Sequence, residues 1–252
     1  ADTLLPNVFS FSFLLLAISF GYRFWQKEEK RAFAIFTIFL SLALLLKITA
    51  LIAVLSFYGA YTSERLFSKK LRISLQTRKV RLMYAGLLIA LGFTFIWYRY
   101  AIQYNAHYGS TIFSTTIRPI WEVSIAERWR IAKLVFFEHS REIFPLITWP
   151  VFIGIYFWLL WSKHTSTYVK HFLWIGTLGL VAYLILWFWV FEVHDYYFIE
   201  LLFFPLFLFG AYLYDQPEWK SIKRWKKPLE IIFLALIFLN TLSFTQVAAG
   251  NQ

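Results

Sequence analysis

The residues most suited to chemistry stand together at positions 192–197, in the sequence EVHDYY. Two carboxylates, an imidazole and two phenols fall within six residues and lead directly into an apolar segment. His194, Tyr196 and Tyr197 at the head of a membrane segment could bind a lipid phosphate through hydrogen bonds, which are strong when one partner is charged. The alternative is a plain turn whose tyrosines belong to the aromatic belt at a membrane surface.

A second candidate is Lys47, which interrupts an apolar run between Leu46 and Ile48. Ionisable groups at membrane depth are costly and usually serve a site or pair with one another. A lysine ammonium is a compact point charge, so Lys47 could bind an anionic headgroup or a phosphate. The alternative is a lysine that extends its side chain to the membrane surface, with no ligand of its own.

The third candidate lies in region 100–145, which is long for a loop in a small membrane protein. Its stretch 121–144 contains no Gly or Pro and mixes aromatic with charged residues. We predict an amphipathic helix there, lying in the outer interface with its aromatic side toward lipid. Within it, Glu138 and His139 could hold a metal or a substrate, and Arg141 could bind a phosphate with two hydrogen bonds. Simple anchoring at the interface is the alternative.

Composition identifies the elements that must position these residues. Of the 252 residues 60% are hydrophobic and only 15% are charged, which excludes a water-soluble domain. The apolar blocks are apolar all round, which excludes a β-barrel and predicts an all-α polytopic membrane protein. With no Cys, the chain has no disulfide and no thiol nucleophile. The predicted membrane segments are about eight in number: 4–24, 32–46, 48–62, 81–99, 146–161, 172–191, 197–214 and 229–246.

The basic residues predict the topology. Four loops hold 18 of the 25 Lys and Arg residues: 23–31, 63–81, 162–171 and 215–228. Basic loops stay on the cytoplasmic side, and eight crossings put all four there. This topology requires two short segments around Lys47. One long crossing would place loops 23–31 and 63–81 on opposite sides of the membrane. The same division of charge among membrane loops argues against nucleic acid as a partner.

The ends of the chain suggest a piece of a longer protein. The first residue is Ala1, the one Met is Met83, and residues 1–7 lack the basic start of a signal peptide. No Gly/Ser-rich or Pro-rich linker divides the sequence. We therefore expect residues 1–252 to form a single transmembrane domain, the C-terminal part of a longer chain.

The sequence resembles the multi-spanning GT-C glycosyltransferases, in particular the dolichyl-phosphate-mannose protein mannosyltransferase and aminoarabinose transferase-like set of bacterial enzymes. Asp2 in the opening ADTLL resembles the acidic residue that starts a membrane helix on the outer side in that family. The run LALLLKITAL around Lys47 is similar to the family's apolar segment broken by a lysine. Residues 194–205, HDYYFIELLFFP, followed by Gly210, resemble the segment in which His and paired Tyr precede a Leu- and Pro-containing helix. Residues 137–141, FEHSR, are a fainter match.

The resemblance implies transfer of a sugar from a polyprenyl-phosphate donor to a lipid, glycan or protein acceptor, on the outer face of a bacterial inner membrane. It implies lipid-phosphate binding by Lys47, Arg141, His194, Tyr196 and Tyr197, with Arg118 as a further candidate cation. A second set of residues lines the sugar or acceptor pocket: Asp2, Glu138 and His139. The family's acidic pair would lie upstream of Ala1, so the catalytic base is unassigned and the chain alone is expected to be inactive.

No cofactor and no metal ligands are assigned, and a divalent metal is left open. Two other function classes fit a membrane bundle of this composition. A transporter or flippase for a lipid-linked substrate would carry charges inside several helices, whereas here the polar groups collect on one face. A non-catalytic assembly protein is the third reading. Membrane lipids are partners in each case.

Overall fold

The computed structural model describes residues 6–67, 77–110, 118–139, 148–193 and 203–215. These residues are helical almost throughout, and no strand occurs among them. This confirms the all-α class. Within these ranges nine α-helices follow one another: α1 (Pro6–Lys27), α2 (Lys30–Leu46), α3 (Leu51–Phe67), α4 (Arg78–Tyr108), α5 (Ile125–Lys133), α6 (Thr148–Trp161), α7 (Thr167–Leu186), α8 (Val190–Val193) and α9 (Phe203–Asp215).

Three of the described helices are long and apolar enough to cross a membrane. They are Val8–Lys27 in α1, Arg78–Tyr108 in α4 and Thr167–Leu186 in α7. Helix α6 is apolar but shorter. The predicted segment 229–246 lies outside the described residues. Three candidate spans therefore support the membrane character of the chain. The count of about eight membrane segments stays a prediction.

Helix α4 is longer than the predicted segment 81–99. It continues past Arg99 to Tyr108 and ends at Gly109, whose φ of 57° is the left-handed conformation that glycine adopts without strain. The rings of Tyr100, Tyr104 and Tyr108, spaced four residues apart, contact one another in tilted pairs along its last turns, with centroids 6.0 and 4.6 Å apart. The prediction ended the segment where the apolar run ended. A helix continues until a residue that favours its end, such as a capping glycine. No such residue lies between Arg99 and Gly109.

Helices α2 and α3 diverge from the break at Lys47. Helix α2 packs on α1 and on α4, whereas α3 packs on α7. Helix α1 turns into α2 through Glu28 and Glu29; Glu28 adopts a positive φ of 55° and donates its N–H to the Phe24 carbonyl at 2.7 Å. The bundle therefore has two packed groups of helices that are joined at the Lys47 break and that also contact each other where α3 meets α1 and α4.

The ends of four helices that adjoin the basic loops lie together. The ring of Trp25 in α1 is 5.7 Å from that of Tyr61 in α3. Lys79 at the start of α4 places Nζ 4.9 Å from the Trp25 ring. Ser63 in α3 is hydrogen-bonded to Nδ1 of His171 in α7 at 2.8 Å. We call this side of the bundle the basic end, and the side that contains Lys47 the opposite end.

The position of the basic end predicts the side of the membrane from which a single introduced cysteine reacts. Because the sequence has no native Cys, no other residue contributes thiol labelling. We expect Lys163→Cys, in the loop before α7, and Ser110→Cys, just after α4, to react from opposite sides of the membrane. The measurement is labelling by a membrane-impermeant maleimide on intact and permeabilised cells. Labelling of both positions from the same side would contradict the topology.

Candidate functional site

Lys47 lies at the break between α2 and α3. Its backbone is extended (φ −150°, ψ 114°), and its N–H donates to the Ala43 carbonyl at 3.0 Å. A short 3-10 helix, Ile48–Ala50, follows. The Ile48 N–H donates to the Tyr98 hydroxyl of α4 at 3.3 Å, which attaches the break to the long helix. The side chain of Lys47 is half-buried. The predicted division of residues 32–62 into two segments is present here.

The predicted interface helix is docked at the same end of the bundle. Helix α5 begins at Ile125 because Ser124 and Glu127 form a capping box, in which each side chain accepts from the other residue's N–H. A π-helical turn, Leu134–His139, continues it. The predicted helix 121–144 is thus wrong at its start, since residues 120–122 form a separate 3-10 turn. Its last residues, 140–144, lie outside the described residues.

A small hydrophobic cluster holds segment 118–139 against the end of α7. Val123 and Ile131 are buried together with Tyr183 and Phe191. Ile52, one turn after the Lys47 break, packs on the edge of this cluster. The cluster therefore brings three parts of the chain that are far apart in sequence to one end of the bundle.

Two polar contacts join the same segments. Arg130 donates to the carboxylate of Glu192 at 2.6 Å. Arg118 lies with Cζ 5.0 Å from the Trp189 ring, and its carbonyl accepts the Trp189 N–H at 3.4 Å. Glu192 belongs to the EVHDYY stretch, so these contacts connect the docked segment to the start of that stretch. Sequence reasoning missed the Arg130–Glu192 pair, because neither residue carries a local signal of the other.

The exposed side of segment 118–139 carries large apolar side chains, most of them aromatic, and we call it the aromatic face. Trp129 is 69% exposed and Ile125 is 70% exposed, and Trp121, Phe136 and Phe137 are also exposed. An exposed aromatic face beside basic side chains is typical of a helix that lies in a membrane interface. This is the side that the sequence assigns to lipid.

The cap of α5 has an electrostatic consequence. Hydrogen bonds from the Ser124 hydroxyl and from the Ser124 N–H hold the pKa of Glu127 below its ordinary value, with smaller contributions from Arg118 and Arg130. The Glu127 carboxylate therefore stays ionised to a lower pH than an ordinary glutamate. A negative charge in the first turn also interacts favourably with the N-terminus of a helix.

The structure describes only part of the predicted site. The Glu138 side chain is exposed on the π-helical turn, and His139 is its last residue. The other predicted site residues lie outside the described residues: Asp2, Arg141, His194, Tyr196 and Tyr197. Convergence of Lys47, Arg141 and His194 in one pocket stays a prediction. Among the residues that the structure does describe, no group of three or more His, Asp or Glu side chains could hold a metal.

A cavity that the sequence did not predict opens at the basic end. It has a volume of about 470 Å³ and lies between α1, α2 and α4 on one side and α3 and α7 on the other. Its walls are aliphatic and aromatic, and tyrosines from four helices contribute to it: Tyr22, Tyr58, Tyr61, Tyr84 and Tyr168. The divergence of α2 and α3 creates this space. The only sequence signal was the number of tyrosines near the basic loops.

Comparison with protein-family models, with curated proteins and with solved structures finds no match to this chain.

Proposed function

We propose that this chain is the membrane part of a glycosyltransferase that takes a sugar from a polyprenyl-phosphate donor. The observation that supports the proposal is the meeting of three distant polar segments at one end of the bundle. These are the break at Lys47, the docked segment 118–139, and the start of the EVHDYY stretch at Glu192. The contacts between Arg130 and Glu192 and between Arg118 and Trp189 join the last two.

The reaction explains why cations should collect at this end. The acceptor oxygen attacks the anomeric carbon, and the bond from that carbon to the phosphate oxygen breaks with its electron pair leaving on the phosphate. The leaving group is an anionic lipid phosphate, which cations stabilise as its charge develops. In the proposal Lys47, Arg141 and His194 carry this role, and Arg118 is a further cation on the docked segment.

The other groups have supporting roles. Tyr196 and Tyr197 donate hydrogen bonds to the phosphate, while Asp2, Glu138 and His139 line the sugar or acceptor pocket. A carboxylate base must take the proton of the acceptor hydroxyl, and in this proposal it lies upstream of Ala1. The chain crosses the membrane about eight times, with the site on the outer face.

The test is binding of a short-chain polyprenyl phosphate to the purified chain in nanodiscs. We expect Lys47→Ala to weaken binding by about 1.5–3 kcal/mol, the range for a hydrogen bond to a charged group. Lys163→Ala is the matched control, because Lys163 is an exposed lysine in a loop next to α7 and outside this site. An unchanged affinity of Lys47→Ala for the polyprenyl phosphate would show that Lys47 is not part of the site.

The same purified chain, in nanodiscs for sugar transfer and in sealed vesicles for lipid movement, separates the function classes. Supplied with a polyprenyl-phosphate sugar, residues 1–252 should bind the donor without releasing the sugar. Sugar transfer by this chain alone would place the base within it. Movement of the intact lipid across a vesicle bilayer, with no bond broken, would instead favour a flippase.

A further inference from the structure

The cavity at the basic end has the depth of one membrane leaflet. Along α1 it extends from Leu14 to Gln26, which is roughly 18 Å at 1.5 Å per residue. The hydrocarbon core of a bilayer is about 30 Å thick, so each leaflet contributes about half. Because α1 is a candidate membrane span, the cavity runs from the membrane surface at the basic end to about the middle of the bilayer.

The deep part of the cavity offers apolar surface. Leu14, Ala17, Phe36, Leu40 and Val54 line it. Two tyrosine hydroxyls of the lining already have partners: Tyr58 donates to the Met83 carbonyl at 3.0 Å, and Tyr84 is hydrogen-bonded to Thr62. An apolar chain can therefore occupy this part without leaving a polar group buried and unsatisfied.

The mouth carries positive charge over aromatic rings. Lys79 Nζ is 4.9 Å from the Trp25 ring, and Arg65 Cζ is 5.4 Å from the Tyr61 ring. These two rings contact each other and line the cavity. The nearby carboxylate of Glu29 is paired with Arg23 at 2.8 Å. The parts of the loops at the mouth that the structure describes, 23–31, 63–67 and 77–81, hold eight Lys and Arg residues against three Glu, so the charge there favours an anionic ligand.

We propose that this cavity binds an anionic phospholipid from the leaflet at the basic end. One hydrocarbon chain lies along α1 between the two groups of helices, and the phosphate lies at the mouth beside Lys79 and Arg65. The combination of a leaflet-deep apolar slot with cations at its entrance fits this class of ligand and no water-soluble one. The proposal does not depend on the proposed function, because the cavity is at the other end of the bundle from Lys47.

The test uses the full chain of 252 residues and two lipid probes that differ in headgroup charge, phosphatidylglycerol and phosphatidylcholine. Each carries a photoreactive diazirine at the end of one chain. After irradiation in nanodiscs, mass spectrometry identifies the labelled peptides and their yield. We expect phosphatidylglycerol to label α1 around Leu14–Ile18, and phosphatidylcholine to label it several-fold less.

Two variants separate the headgroup from the chain. Lys79→Ala should lower phosphatidylglycerol labelling of α1 about fivefold, the effect of roughly 1 kcal/mol per cation near an anionic membrane surface. Ile18→Trp should lower labelling by both lipids, because Ile18 lines the cavity and a larger ring would fill it. Lys163→Ala, a loop lysine that does not line the cavity, should leave labelling unchanged.

Three results would overturn the proposal. The first is equal labelling by the two lipids. The second is a labelling yield that neither Lys79→Ala nor Ile18→Trp changes, in variants that keep the wild-type melting temperature. The third is absence of lipid label from α1 altogether, which would mean that protein fills the cavity. Because Lys47→Ala does not touch the cavity, loss of polyprenyl-phosphate binding in that variant with intact phosphatidylglycerol labelling would keep the two sites distinct.

Discussion

Ile131→Ala is expected to lower the free energy of unfolding by about 2–5 kcal/mol, the range for removing a large buried aliphatic side chain. Ile131 has no exposed surface and lies in the cluster with Val123, Tyr183 and Phe191. Helix α5 has only nine residues, too few to be stable in isolation. Its position depends on this cluster, so the variant should release segment 118–139 from the end of α7.

The measurement combines thermal unfolding in detergent with hydrogen exchange of the α5 amides. Ile125→Ala is the matched control, because Ile125 is on the same helix and is 70% exposed; its effect should stay within about 0.5 kcal/mol. We expect faster exchange in α5 for Ile131→Ala and wild-type exchange for Ile125→Ala. Equal effects of the two variants would show that the aromatic face, and not the cluster, holds the segment.

Gly86→Leu is expected to destabilise the contact between α2 and α4. A Cβ at Gly86 would lie 2.9 Å from the Thr37 hydroxyl oxygen and 3.0 Å from the Phe36 ring. Thr37 is held by its own hydrogen bond to the Phe33 carbonyl, and Phe33 is itself close to the same point. A larger side chain must therefore push the helices apart, at a cost of about 1–3 kcal/mol.

Gly92→Leu is the control on the same helix, because a Cβ there meets nothing within 4 Å. Both substitutions gain about 0.8–1 kcal/mol of helix propensity, so the difference between their melting temperatures reports packing alone. Gly86→Leu should melt below the wild type and Gly92→Leu at or above it. A Gly86→Leu protein as stable as Gly92→Leu would mean that α2 and α4 are not in close contact.

The sequence predicted best those structural features that depend on residues adjacent along the chain. Among the described residues, the apolar runs predicted where helices lie, and the lysine within one of them predicted the break at Lys47. The boundaries were less accurate, because a polar stretch such as 100–108 ends an apolar run without ending a helix. Helix α5 likewise begins at Ile125, four residues after the predicted start at 121, because Ser124 caps it.

The candidate site depends more on the tertiary structure than the positions of the helices do. Glu138 could be named from its chemistry, yet the structure leaves it exposed. Arg130 and Glu192 are 62 residues apart and form an ion pair. Such a pair follows from how two helices dock, and each residue taken alone is compatible with a solvated surface.

The sequence by itself determined that the described residues are helical, that three helices are long and apolar enough to cross a membrane, and that the basic residues gather in a few loops. Hydrophobic burial and the position of charge relative to a bilayer are properties of residues in order along the chain, so they can be read without coordinates. Only the tertiary structure decided that α2 packs on α1 and α4 while α3 packs on α7. That choice depends on which helix surfaces fit one another, for instance at Gly86, and it opens the cavity at the basic end.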